Sequence, residues 1–293
     1  MKNIKLLLIS SVFMLVACGE YHGYDADDAQ SPYIPNDGVY MVKSLKTTSV
    51  YAGREYSWEH EFKYDAHNRV KEVASNILYH VERYVGGVKG FYKCNRKSSA
   101  QYYYLNDAID VTYSVAFEYP GHSDWNIEHN GTDEGVFNED GFLKKFSALD
   151  FGYSGSVLAV ANSDGGRRYE ITRDRNNNVT GFNLFDEYTD SLMVDNADEC
   201  GYSLQKNNTN FDFSGYFGFW GVEEEIVANA SPYYAAYQLA AFGMLGTTSK
   251  YLPLGKAVVG EEIKTGKWEL DDKQRPVMFT DSSGRKTVVT YMN

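Results

Sequence analysis

The feature that most constrains how this chain can fold is a short unit that returns along it at irregular intervals. Its clearest copy is Phe62-Lys63-Tyr64-Asp65-Ala66-His67-Asn68-Arg69-Val70. An Asp opens the unit, where its carboxylate can accept from backbone N–H groups of a type I turn. Three residues later stands Asn68, a residue type that tolerates the left-handed backbone closing such a turn with a bulge. Apolar residues alternate on both flanks, so each unit predicts strand, turn, strand. Variants begin at Asn138, Asp174, Asp271 and Asp281, with Gly141, Asn177, Gln274 and Gly284 in the closing place, and a faint copy begins at Asp195.

Between the units the hydrophobic pattern has period two. From Arg54 to Tyr64 the side chains of Tyr56, Trp58, His60, Phe62 and Tyr64 share one face, and Glu55, Ser57, Glu59, Glu61 and Lys63 share the other. Asp110–Tyr119 repeats the arrangement. Such alternation predicts antiparallel sheet with one dry face. Further strands are predicted at Ile77–Tyr84, Val88–Lys93, Val157–Asn162, Arg168–Arg173, Val179–Phe185 and Phe211–Phe219. One helix interrupts them: Ser231 as N-cap, Pro232 in the first turn, and an apolar run from Tyr233 to Leu245 stopped by Gly246. A helix apolar nearly all round must be buried, against the concave face of the sheet or in an opening. The predicted fold is mainly β: a single curved, largely antiparallel sheet of consecutive hairpins, open or partly closed like a barrel, with one buried helix near 232–245. Two packed sheets would give the same pattern.

Residues 1–17 stand outside that domain. Lys2 and Lys5 precede an apolar stretch from Ile4 to Ala17 that is too short to span a bilayer as a stable helix, and Leu15-Val16-Ala17-Cys18 follows. This ending resembles the lipobox of bacterial lipoproteins, which implies lipid transfer to the Cys18 thiol and cleavage before it. Residues 18–38 lack periodicity, carry Pro32, Pro35 and Gly38, and are expected to form a flexible tether. Acidic residues from Asp25 onward resemble the export signal of Gram-negative surface lipoproteins, which implies the cell-surface side of the outer membrane. A single β domain is expected over 39–293.

Removing residues 1–17 takes two lysines and no acids from a chain of formal charge −12. The strongly acidic remainder argues against nucleic acid, and against membrane binding by charge rather than by lipid. Cys94 and Cys200 could pair in an oxidising envelope or remain separate thiols.

Tyr64-Asp65-Ala66-His67-Asn68-Arg69-Val70 resembles the tyrosine-aspartate (YD, or RHS) repeat, with Asn68 where that pattern has Gly. The lipobox, the Val39–Leu45 opening strand, the Tyr-Asp hairpin, and the late helix followed by Ser249-Lys250-Tyr251-Leu252-Pro253 together resemble a family of Gram-negative lipoproteins of unknown function with a porin-like β fold. The resemblance implies a fold and a location and transfers no functional residue. A membrane-spanning pore is not expected. With Glu55, Glu59, Glu61 and Lys63 on the polar faces, a closed barrel would turn its aromatic faces to lipid and leave the apolar helix in a polar lumen.

No constellation announces a reaction. The histidines form no H-E-x-x-H, Gly152-Tyr153-Ser154-Gly155 falls short of a nucleophile elbow, and the Asp174 loop lacks the Gly and the closing Glu of a calcium site. No catalytic, metal or cofactor residues are therefore expected. A carboxylate pair near Glu223-Glu224-Glu225 is the basis of an alternative, an envelope polysaccharide hydrolase. Aromatics exceed what a core needs, at 25 Tyr and 16 Phe. Trp125, Tyr216 and Trp220 are the candidate ligand-binding residues, on the ground that exposed rings stack on sugars. The expected function is a monomeric, lipid-anchored, non-catalytic binding or structural module for glycans, other nutrients or an envelope partner.

Overall fold

The computed structural model describes residues 40–163, 166–176, 178–186, 188–194, 198–217, 236–258, 262–263 and 265–292. Its strands are β1 (Val42–Tyr51), β2 (Arg54–Tyr64), β3 (Val70–Val85), β4 (Val88–Tyr104), β5 (Ala108–Glu118), β6 (Ile127–Phe137), β7 (Leu143–Phe146), β8 (Leu149–Ser154), β9 (Val157–Ser163), β10 (Arg167–Arg173), β11 (Val179–Asp186), β12 (Ser191–Val194), β13 (Asp198–Lys206), β14 (Tyr251–Val258), β15 (Lys267–Leu270), β16 (Pro276–Thr280) and β17 (Lys286–Tyr291). Two short helices are described, α1 (Phe213–Tyr216) and α2 (Ala236–Ala241).

Fifteen strands form one antiparallel meander, running from β12 back to β1 and on through β17, β16 and β15. β13 and β14 pair separately. The large sheet does not close on itself, and β12 and β15 are its edges. Its curvature follows from burial: Phe62 and Val73 near one part of the meander, Tyr169 and Leu184 far along it, and Trp268 and Phe279 at the other end all belong to one core. A flat sheet could not bring them together. The β14 strand lies across the gap. Trp268 Nε1 donates to Pro253 O at 2.7 Å, Gly266 N donates to Leu254 O at 2.6 Å, and on the other side Tyr251 N donates to Asn178 Oδ1 at 3.2 Å.

The inside is filled by residues 209–217 and by the segment from α2 to Leu254. Phe62 packs on Phe211 and Phe242 with ring centroids 5.4 and 5.2 Å away, and Phe213 reaches Trp268 at 4.9 Å. Leu239 to Leu245 is buried throughout, as an all-apolar helix requires. Its end differs from expectation. Gly243, at φ 77°, closes a Schellman cap in which Met244 N donates to Leu239 O and Gly243 N to Ala240 O, so the helix ends at Ala241, five residues before Gly246. Gly246 serves a different contact. With φ at 96° it lets the backbone pass so close to β9 that a Cβ there would lie 2.9 Å from Ser156 O. Ser231 and Pro232, expected to start this helix, lie outside the described residues, as does Asp195 of the faint sixth unit.

A second correction concerns Phe211–Phe219. The described part is no strand, because Asp212 captures the local backbone: its Oδ1 accepts from Ser214 N at 2.9 Å and from Ser214 Oγ at 2.6 Å, which starts α1. Cys94 and Cys200 are free thiols, not a disulfide.

The five turn units share one geometry. In each, the opening residue donates its N–H to the carbonyl four residues on, and its Oδ1 accepts from the second and fourth following N–H groups. Asn68, Gly141, Gln274 and Gly284 have positive φ of 62°, 82°, 60° and 82°. The second carboxylate oxygen holds the side chain at the fourth place, Arg69 Nε at 2.6 Å, Asn178 Nδ2 at 2.9 Å, Arg275 Nε at 2.7 Å and Arg285 Nε at 2.8 Å. The unit at Asn138 has no second carboxylate oxygen, and there the fourth place is Phe142. Burial raises the carboxyls of Asp174, Asp271 and Asp281, but the hydrogen bonds they accept outweigh it and hold them below the ordinary 3.8. Their contribution to stability is present at neutral pH and is lost as the pH falls through those lowered values.

The Asp65–Arg69 pair is buried, with side chains 2% and 3% exposed, whereas Arg285 in the Asp281 copy is 46% exposed. Asp65→Asn keeps Oδ1 but leaves a buried guanidinium without its carboxylate, and should cost about 3 kcal/mol in urea unfolding. Asp281→Asn should cost under about 1 kcal/mol. Equal losses would show that burial does not set the strength of these turns.

Candidate functional site

The register places the turns at Asp65, Asn138, Asp174 and Asp271 at one end of the sheet, the end where β1 begins. The opposite end is dominated by β3 and β4, which at 16 and 17 residues outrun their neighbours. On this arm Tyr79 stands opposite Cys94, and Tyr119 follows β5. Pro120 and Gly121 then turn the chain, with Gly121 at φ 84° and His122 N donating to Tyr119 O at 2.9 Å, the geometry of a type II turn. A single 3-10 turn, Ser123–Trp125, brings the indole back over the arm.

The result is a cluster of rings around one cation. His122 lies flat on Trp125, with centroids 4.0 Å apart and planes 8° from parallel. Tyr92 meets both edge-on at 5.0 Å. The Arg83 guanidinium sits 4.7 Å from the Tyr119 ring centre and 4.9 Å from that of Trp125, and its Nη2 donates to Tyr119 Oη at 3.2 Å. Burial, then the neighbouring Cys94 thiol, pushes the Tyr79 and Tyr119 phenols above their ordinary 10. Tyr119 is buried under the cluster, whereas Tyr92, His122 and Trp125 are half-buried, and such rings beside a guanidinium can stack on and hydrogen-bond to a hydroxylated ligand.

Of the candidates named from sequence, Trp125 is in this cluster and Tyr216 is not. Tyr216 lies in α1 with its ring 5.6 Å from His60 and 5.6 Å from Phe211, against the core. His60 is hydrogen-bonded across to Ser75 at 2.8 Å, eight residues along β3 from Arg83, or roughly 26 Å at about 3.3 Å per residue. Trp220 lies outside the described residues, as do Glu223, Glu224 and Glu225. Arg83, Tyr92, Tyr119 and His122 were not singled out from the sequence. The usable signal was Tyr119-Pro120-Gly121 at the end of a clean period-two strand, which folds the next aromatic back onto its neighbours.

A second set of convergent polar groups is buried. Asp212 is 1% exposed, and burial raises its carboxyl above the ordinary range against the opposing hydrogen bonds from Ser214 and Ser249. Oδ2 accepts from Ser249 N at 2.9 Å, and the Ser214 and Ser249 hydroxyls meet at 2.8 Å, with Tyr202 Oη 3.3 Å from Ser249 Oγ. Both carboxylate oxygens are thus used to cap α1 and to tie it to the segment leading into β14. Among the described residues no group of three His, Cys, Asp or Glu side chains is placed to hold a metal ion.

No protein-family model and no curated protein matches the sequence. Among solved structures, the chain is similar to a porin-like protein from Bacteroides uniformis, at 11% identity and a TM-score of 0.42, over 89% of this chain and 100% of that one.

His60 supplies a test of how dry the inner face is beside Tyr216. Burial, and secondarily the charge of Arg96, lowers its pKa from 6.5 to about 4. The folded state therefore keeps His60 neutral while the unfolded chain takes up a proton. Stability is undiminished above 6.5 and is lost as the pH falls toward 4, by about 3 kcal/mol in all. His60→Asn should flatten that part of the pH–stability curve; an unchanged slope would mean that the imidazole is wet.

Proposed function

We propose that this chain is a lipid-anchored protein of the bacterial outer membrane, acting at the cell surface as a non-catalytic binding module for glycans. In this proposal residues 1–17 are a signal peptide, Cys18 carries the lipid, residues 18–38 are a tether, and 39–293 form one monomeric domain. The likeness of the Asp65 unit to YD/RHS repeats is one of turn chemistry. The observation that carries the binding role is the cluster of Tyr92, Tyr119, His122 and Trp125 around Arg83. It is built largely on paired strands, at the end of the sheet away from the start of β1. The tether would leave from the end where β1 begins, so the aromatic end is the one free to meet a ligand.

Two experiments test the proposal. Cells fed an alkyne-tagged palmitate should label the wild-type protein and not Cys18→Ser; an unlabelled wild type would remove the anchor. In gels containing neutral or uronic-acid polysaccharides, the protein should be retarded by at least one polymer, and Trp125→Ala should weaken that retention by about tenfold, the scale of one lost stacking contact. Free migration in every gel would remove the glycan role.

A further inference from the structure

The end of the sheet that carries Trp125 has a second property, independent of any glycan. Large apolar side chains that a water-facing tip has no reason to display are gathered there. Val50 and Tyr51 at the β1–β2 tip are 71% and 74% exposed. At the β3–β4 tip, Tyr84 and Val88 are 68% and 71% exposed, with Val85 beside them. Gly86 and Gly87, both at positive φ, turn the hairpin so that Val85 and Val88 are its outermost pair. The two hairpins are joined sideways, since the Arg54 guanidinium lies 4.1 Å over the ring of Phe91.

The charge of the β3–β4 arm opposes that of the chain. Between Tyr79 and Lys97 there are five cations, Arg83, Lys89, Lys93, Arg96 and Lys97, against the single acid Glu82, in a chain of formal charge −12. Lys89 is paired with Glu82 and Lys97 with Glu118. Arg54, Arg83 and Lys93 have no carboxylate partner among the described residues. The acidic balance that argued against electrostatic membrane binding is therefore reversed on the β3–β4 arm itself, with Glu55, Glu118 and Asp124 beside it at that end.

We propose that the tips of the β1–β2 and β3–β4 hairpins dock into the interface of an anionic lipid bilayer. Val85, Val88 and Tyr84 enter the boundary between headgroups and acyl chains, and Arg54 and Lys93 meet the phosphates. A bilayer fits these tips better than a sugar or a protein does. They protrude, and a fluid interface accepts a convex apolar tip without a matching groove. Lipidation at the other end is no obstacle. The 21 residues between Cys18 and Tyr40 can reach about 70 Å when extended, against about 56 Å for the 17 residues of β4. Docking would leave the Trp125 cluster at headgroup depth, where the sugars of glycan-bearing lipids lie.

The test uses the chain from residue 18 onward with Cys18→Ser, which keeps every described residue and removes the acyl chains. Flotation with phosphatidylcholine vesicles is compared with flotation when about one-third of the lipid is phosphatidylglycerol. Binding should require the anionic lipid, weaken with added salt, and fall about fivefold for each of Arg54→Gln and Lys93→Gln. Val85→Asp with Val88→Asp should abolish it while leaving the circular dichroism and melting midpoint unchanged. No flotation, equal flotation with both vesicles, or flotation indifferent to the Asp pair would overturn the proposal. So would a dimer in sedimentation velocity that the Asp pair dissolves, or retardation by an anionic polysaccharide that it abolishes without vesicle binding; these would assign the tips to a second copy or to a glycan.

Discussion

A sheet that alternates apolar and polar side chains has one face to bury, and a single meander has no second sheet to bury it against. The structure depends on how that face is covered. Here the chain curves the sheet and fills the inside with its own later segments, so that Phe211 and Phe242 meet Phe62 while Phe213 and Trp268 meet at the far edge. At roughly 25 cal/mol per Å² of apolar surface, and about 150–250 Å² for an aromatic side chain, each such ring contributes several kcal/mol. No local hydrogen bond matches that scale. The cover reaches only so far. Above it the inner face is closed by polar rungs, Thr47 with Thr287 at 2.8 Å and His60 with Ser75 at 2.8 Å, and beyond those rungs β3 and β4 extend as a half-exposed arm.

Turn chemistry fixes what the core leaves open. A hairpin in a curved sheet must keep its register or every side chain changes face, and one side-chain oxygen closes each unit by accepting from two backbone amides. The Arg or Asn at the fourth place neutralises or saturates the other oxygen, and the pairing of Asn138 with Phe142 shows the rule by its exception. The edge at β15 is managed differently, by the β14 strand, whose Pro253 and Leu254 carbonyls accept from Trp268 and Gly266 while Tyr251 N donates to Asn178 of the β10–β11 turn.

Much of this was legible in the sequence. Period two and the turn units predicted the meander, the antiparallel pairing and the buried face, because these depend on residues a few positions apart. Failures occurred where a distant partner or a competing side chain decided. Phe211–Phe217 has the alternation of a strand, but Asp212 and Ser214 offer their oxygens to the local backbone. Gly246 looked like a helix stop, whereas Gly243 makes the cap and Gly246 answers to β9. In sequence Tyr216 and Trp125 are alike as surplus aromatics, and only the fold shows that one faces the core and the other the far arm. The basic end was hidden by the net charge, which sums over faces that never meet.

The sheet is held by a core at the end where β1 begins, with the β3–β4 arm standing free of it. Native-state hydrogen exchange resolved by residue tests this most directly. Amides of Val70–Ile77 and Ala100–Tyr104 should exchange only through global unfolding, whereas those of Val81–Lys93 should exchange through local opening, several kcal/mol more easily. Uniform protection along both strands, or early exchange at Val73 and Tyr102, would contradict it.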